Sequence, residues 1–155
     1  MIRSKIVIAR VLKLGTLIST FGFTGSIIIQ IYARFFLESA PSWTEEASRF
    51  FFVYAVSFAA GLAMKDNYYV YLDLLYDRLK EKHKKILDLI ISASTLLLFL
   101  ILALYSIQLI VLGVPEKSPS LGISMSVAFA GIFIMALSVC IYAFFDFFKN
   151  LKRFL

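Results

Sequence analysis

The sequence is poor in the groups that carry chemistry. It has one cysteine, Cys140, so an intrachain disulfide, a C-x-x-C redox pair and a cysteine zinc cluster are excluded. It has one histidine, His83, set among lysines and outside every apolar run, where it cannot ligate a span-embedded haem. No acid, base or histidine lies near the middle of a long apolar run, where pumps and transporters keep one to bind or couple an ion. Nor do those runs show the Gly/Pro breaks that expose backbone to substrate in secondary carriers. Internal repeats and low-complexity segments are also missing. These absences argue against an enzyme, against a bound cofactor or metal, and against a self-sufficient carrier. They leave a membrane scaffold or accessory subunit.

What the chain has in excess is apolar sequence. Of its 155 residues 61% are hydrophobic and the mean hydropathy is +0.86, above the usual share in soluble domains. Four runs carry that excess: Leu14 to Ala33, Ala47 to Met64, Leu89 to Leu112 and Ile123 to Phe145. Each is long enough, or nearly so, to cross the roughly 30 Å of a bilayer's hydrocarbon, which takes about 20 residues of helix. The expected fold is therefore an all-α membrane protein in one domain, residues 1–155. Its four spans are expected at about 14–36, 43–64, 86–112 and 122–146. The first is too long for a signal-peptide core and should remain as an anchor.

The formal charge of +6 could point to nucleic acid, but its distribution points to the lipid bilayer instead. Arg3, Lys5, Arg10 and Lys13 precede the first span, six more Lys/Arg lie between spans two and three, and Lys149, Lys152 and Arg153 follow the last. Arg34, Arg49 and Lys117 alone fall on the other side. Positive charge accumulates on the cytoplasmic side, so both termini are expected inside.

Local motifs refine this frame. Gly15, Ser19, Gly22 and Ser26 recur at spacings of four, three and four, a line of small residues along which another helix can pack closely. Its partner is either a helix of this chain or a second membrane protein. Ser42 and Glu45 have capping-box spacing at the start of span two, Trp43 suits the border between water and hydrocarbon, and Glu45 and Arg49 stand four apart in the favourable order. Arg34, Glu45, Glu46 and Arg49 are expected to form a neutral outer cluster, either a clasp for the hairpin or a contact for an extracytoplasmic partner. Gln30 and Gln108, near the outer ends of spans one and three, are expected to face protein. After Met64, Asp66, Asp73, Asp77 and Lys80 share one helical face and Tyr68, Tyr71, Leu72, Leu75 and Leu79 the other, which reads as an amphipathic interfacial helix over about 66–80 on the cytoplasmic side.

Taken together these residues resemble the small membrane (DctQ-type) subunit of tripartite ATP-independent periplasmic, or TRAP, transporters. That family shows an arginine closing span one, W-x-E-E with an arginine three residues on, a G-x-x-A-rich stretch at fixed distance and an H-I-x-V-D-like motif. Arg34, Trp43, Glu45, Glu46, Arg49 and Asp73 fall in those places, and Leu121 to Ser124, LGIS, is similar to the family's L-G-I-P at the start of span four. The sequence departs from the pattern at Tyr54, Ala59, Tyr69 and Ser124, where tryptophan, glycine, histidine and proline are usual. No role that needs an imidazole at position 69 is carried over. The resemblance covers nearly the whole chain.

The resemblance implies a function that composition does not. Such subunits form a heterodimer with a large membrane subunit that carries the substrate and sodium sites and moves as an elevator, while a periplasmic substrate-binding protein delivers a carboxylate such as sialic acid or a C4-dicarboxylate. The small subunit acts as a fixed brace in the bacterial inner membrane. Arg34, Trp43, Glu45, Glu46, Arg49 and Asp73 are then structural or partner-contact residues, and Gly15, Ser19, Gly22 and Ser26 serve helix packing. Two other readings compete: a stand-alone four-span exporter of the small multidrug type, which wants a membrane-embedded carboxylate, and the membrane anchor of a respiratory complex.

Overall fold

In lipid a backbone has no water to bond with, so an apolar run must satisfy its own N–H and C=O groups, and the helix does this within one segment. The computed structural model describes residues 2–37, 41–65 and 79–154, and its regular structure is helical. The helices are α1 (Ile2–Phe36), α2 (Ser42–Lys65), α3 (Glu81–Leu112) and α4 (Ser126–Phe154). All four are long and apolar enough to cross a membrane. The expected interfacial helix, with Asp73, lies almost wholly outside the described residues; its last residue, Lys80, is extended where it leads into α3. Helix α4 starts at Ser126, four residues after the expected span, because Gly122 to Met125 belong to the preceding loop.

The helices stand in a row. Helix α1 packs on α2, α2 on α4, and α4 on α3, so the spatial order is α1–α2–α4–α3. At the first seam Gly15 lies under the ring of Phe58 and Gly22 under that of Phe51, which makes the pair antiparallel. Ser19 and Ser26 are buried between them. Thus all four members of the small-residue line are covered, and both its glycines meet this chain's own α2. At the second seam Gly61 meets Ser138, and Gly131 meets Val53 and Ser57, so α2 and α4 run parallel. The third seam is antiparallel: Gly113 lies against Phe129 at one end, and Asn150 donates to the Asp88 carbonyl at 3.3 Å at the other.

Serines inside the row donate within their own helices. Ser57 donates to Val53 O at 2.6 Å, Ser92 to Asp88 O at 2.8 Å, Ser106 to Ala103 O at 2.7 Å and Ser138 to Met135 O at 3.0 Å. Each hydroxyl thus bonds its own helix three or four residues back, leaving a side chain small enough for close approach. Toward the end that carries both termini the row closes around Leu12, Met64, Val139, Tyr142 and Ala143. Elsewhere large apolar side chains point outward, among them Phe21 and Ile18 on α1 and Leu98 and Leu104 on α3, as hydrocarbon surroundings allow and water does not.

Two glycine substitutions separate packing from propensity. A Cβ at Gly61 would lie 2.6 Å from Ser138 Oγ and 3.0 Å from Leu12 Cδ1, whereas one at Gly25 meets nothing within 4 Å. Alanine gains about 1 kcal/mol of helix propensity at either site, but overpacking costs about 1–3 kcal/mol. Thermal unfolding in detergent will show Gly61→Ala melting lower than the parent and Gly25→Ala melting no lower.

A carboxylate clasp between the start of α2 and the α3–α4 loop

The first turn of α2 begins after Pro41, whose carbonyl accepts both the Thr44 N–H (3.2 Å) and the Thr44 hydroxyl (2.8 Å). The capping box expected from Ser42 and Glu45 is not formed, because Glu45 turns outward to pair with Arg49 one turn on. Glu46 points the other way, toward residues more than seventy positions later. Its carboxylate accepts the Ser118 hydroxyl at 2.8 Å, the Ser120 N–H at 3.1 Å and the Leu121 N–H at 2.7 Å. Three donors on one carboxylate hold the loop between α3 and α4 against the N-terminus of α2, where the helix dipole also favours negative charge.

The loop is built to present those donors. Lys117 and Ser124 form an isolated antiparallel bridge, Ser118 N–H bonds Ile123 O at 2.8 Å, and Gly122 N–H bonds Ser118 O at 3.0 Å. Gly122 has φ +66°, the left-handed region in which an L side chain is strained. With the chain reversed there, the Ser120 and Leu121 N–H groups point outward to Glu46. Ser124 Oγ lies 2.7 Å from the Gly113 carbonyl, closing the loop's base, and accepts the Ser126 N–H at 3.3 Å as α4 begins. Eight residues beyond Glu46 along α2, Tyr54 donates its hydroxyl to Val127 O at 2.6 Å. Two positions that depart from the family pattern, Tyr54 and Ser124, therefore each hold a hydrogen bond at this junction.

The expected four-residue charge cluster is not what assembles. Arg34 lies exposed in the last turn of α1 and has no ion pair among the described residues, so it takes no part. Glu45 and Arg49 pair with each other at the surface, with side chains 56% and 74% exposed, and Glu46 serves the loop. Trp43 is exposed at the same end. Gln30 is half-buried, whereas Gln108 is exposed and does not turn into this chain. At the opposite end Asp88 lies 3.9 Å from Arg153, a partner sixty-five residues away. Missed in the sequence, too, was the Glu46 contact; the available signal was Pro119 to Gly122, a turn able to aim consecutive N–H groups at an anion.

A further feature is a line along α2 that the other described helices leave largely open, touched by α1 where the Phe23 ring lies 5.5 Å from that of Phe52. Glu45, Arg49, Phe52 and Val56 recur at spacings of four, three and four and are all exposed. Ala59 and Ala63 continue the line, half-buried. It starts in an ion pair and ends in small residues.

Residues 23–153 match the family described as tripartite ATP-independent periplasmic transporters, DctQ component. A protein of Haemophilus influenzae described as a TRAP transporter small permease protein is 30% identical over 120 residues, covering 77% of this chain and 73% of that one. The family match takes in the last fourteen residues of α1, all of α2 and α3, the clasp and nearly all of α4.

Glu46→Gln keeps the shape of the clasp but replaces one acceptor oxygen by a donor that faces N–H groups. Hydrogen exchange at Ser120 and Leu121 is expected to accelerate clearly in that variant and to stay unchanged in Glu45→Gln, whose exposed pair is worth at most about 1 kcal/mol. Equal exchange in the two variants would remove the clasp.

Proposed function

We propose a bracing role for this chain from one premise: it belongs to the DctQ component family of TRAP transporters and is their small permease subunit. It is a component of a transporter with four helices able to span a membrane. In our reading it sits in the bacterial inner membrane with both termini inside, binds one large membrane subunit, and widens and anchors that subunit's fixed scaffold while the rest moves as an elevator. Sodium drives the cycle, and a periplasmic binding protein delivers a carboxylate, sialic acid or a C4-dicarboxylate. The transported solute does not touch this chain. Residues 66–80, with Asp73, form its interfacial helix on the cytoplasmic side.

The observation that carries this reading is the largely open line on α2. Arg49 lies sixteen residues before Lys65, about 24 Å along the helix at 1.5 Å per residue, less than the roughly 30 Å of hydrocarbon. The two Cα atoms cannot both stand clear of the hydrocarbon, so at least one of these side chains must extend along the helix to bring its charge to the surface. Arg49 reaches back to Glu45, and a neutral pair recruits no anionic headgroup, so lipid alone serves it poorly. A polar group on the partner's helix would serve it better, while Ala59 and Ala63 below let that helix come close. The row supports the same role, since helices in single file offer broad outer faces rather than an enclosed path. Trp43 and Arg34 would fix the depth of this end at the periplasmic surface, and the clasp at Glu46 would keep it rigid.

Coexpressed with its large subunit, the chain is expected to copurify, and Val56→Cys in a Cys140→Ala background is expected to crosslink to that subunit. Arg49→Ala should weaken the complex far more than it destabilises the chain alone. In liposomes the chain by itself should take up nothing; uptake without the large subunit, or a monodisperse chain that binds none, would defeat the brace. For topology, Lys117→Cys should react with an impermeant maleimide in intact cells, and Lys152→Cys only after permeabilisation.

A further inference from the structure

Where the first turn of α3 meets the last turn of α4 there is a cavity of about 280 Å³, lined by Glu81, Lys82, Lys85 and Phe154. We infer that it seats the phosphodiester headgroup of an acidic phospholipid. The two helix ends bring seven cations together, Lys80, Lys82, Lys84, Lys85, Lys149, Lys152 and Arg153, against the carboxylates of Glu81, Asp88 and Asp146. Of these acids Glu81, the one in the cavity wall, lies 3.3 Å from Lys84, and Asp88 lies 3.9 Å from Arg153. The two lysines that line the cavity, Lys82 and Lys85, have no ion pair among the described residues. The cavity therefore keeps a net positive wall.

That wall is held in place. Asn150 Nδ2, one turn before Phe154, donates to Asp88 O at 3.3 Å and lies 3.4 Å from Ser92 Oγ, fixing the end of α4 against α3. The fourth lining residue decides the class of ligand. Phe154 is 44% exposed and offers an apolar surface from which a bare inorganic anion gains nothing. An amphipathic anion gains from both walls, with Lys82 and Lys85 on its phosphate and Phe154 beside its glycerol. Below the cavity the same two helices expose Ile90, Ile91, Phe144 and Phe148, apolar surface at the level of acyl chains. Basic pockets between helix ends on the cytoplasmic side bind anionic headgroups by this chemistry. Assigning the site to the inner leaflet rests on the topology proposed above; binding itself does not.

The test uses the full chain, delipidated in detergent, where sidedness plays no part and a wrong topology would show only in the maleimide labelling. Native mass spectrometry and thermal unfolding are run with phosphatidylglycerol, phosphatidylcholine and inorganic phosphate. Phosphatidylglycerol is expected to be retained and to raise the melting temperature, phosphatidylcholine to do neither, and inorganic phosphate to have little effect. Each lysine is worth about five-fold in affinity, so Lys82→Gln with Lys85→Gln should weaken phosphatidylglycerol about thirty-fold, while Lys117→Gln at the other end changes nothing. Phe154→Ala should weaken phosphatidylglycerol without altering the response to phosphate. Lys82→Arg with Lys85→Arg, which keeps the charge, should retain binding. Equal binding of the two lipids, protection by phosphate that matches the lipid, or indifference to the loss of both lysines would each overturn the assignment.

Discussion

Between helices in hydrocarbon there is no hydrophobic force, because lipid tails are as apolar as leucine; what remains is how closely two helices can approach and how well they bond. The row depends on that constraint. Glycines set the first two seams, Gly15 and Gly22 under phenylalanine rings and Gly61 and Gly131 against Ser138 and Val53, and Gly113, just past α3, lies against Phe129 at the end of the third. Serines fill the remaining seam positions, returning their hydroxyls to their own helices. A seam made this way contains little that is polar between helices. Few cross-helix hydrogen bonds fix its register, so register has to be set elsewhere.

It is set at the ends. At one end Glu46 binds the α3–α4 loop and Tyr54 reaches Val127, which ties α2 to the start of α4. At the other end Asn150 and Arg153 tie the close of α4 to Asp88 on α3. These contacts stand near the water boundary, where carboxylates and guanidinium groups lose least on desolvation, while the middle of each seam is left to shape alone. A carboxylate that accepts three donors also resists sliding in a way that a single surface pair does not. The two ends thus do work that the interior cannot.

The helices were legible from run length and hydropathy, and the local pair Glu45–Arg49 from helical spacing, because both are properties of one segment. The order of helices in space was not. Nothing in four apolar runs says that α4 lies between α2 and α3, since that depends on which small-residue positions face each other. The outer charge cluster was read from proximity along the chain, which placed Glu46 with Arg34 and Arg49. The structure sends Glu46 to backbone N–H groups, donors that every sequence has and none advertises. Only Gly122, needed at φ +66°, marked the turn that aims them. Asp88 is a second case, with an ion-pair partner, Arg153, that is sixty-five residues distant in sequence.

Single-file packing also bears on what such a subunit can do. An enclosed path needs helices arranged around an axis, whereas the described helices stand in a row that offers two faces. Neither face has to be uniform. On α2 the largely open line passes from the Glu45–Arg49 pair through Phe52 and Val56 to the half-buried Ala59 and Ala63, chemistry that lipid rewards only in the middle. On α1 the outward line of Val11, Leu14, Ile18 and Phe21 is apolar throughout, as lipid prefers. A protein that presents lipid-like surface on one helix and polar, close-packing surface on its neighbour is sided within the plane of the membrane. Sidedness of that kind, in a chain tied at both ends, fits the stationary support proposed above.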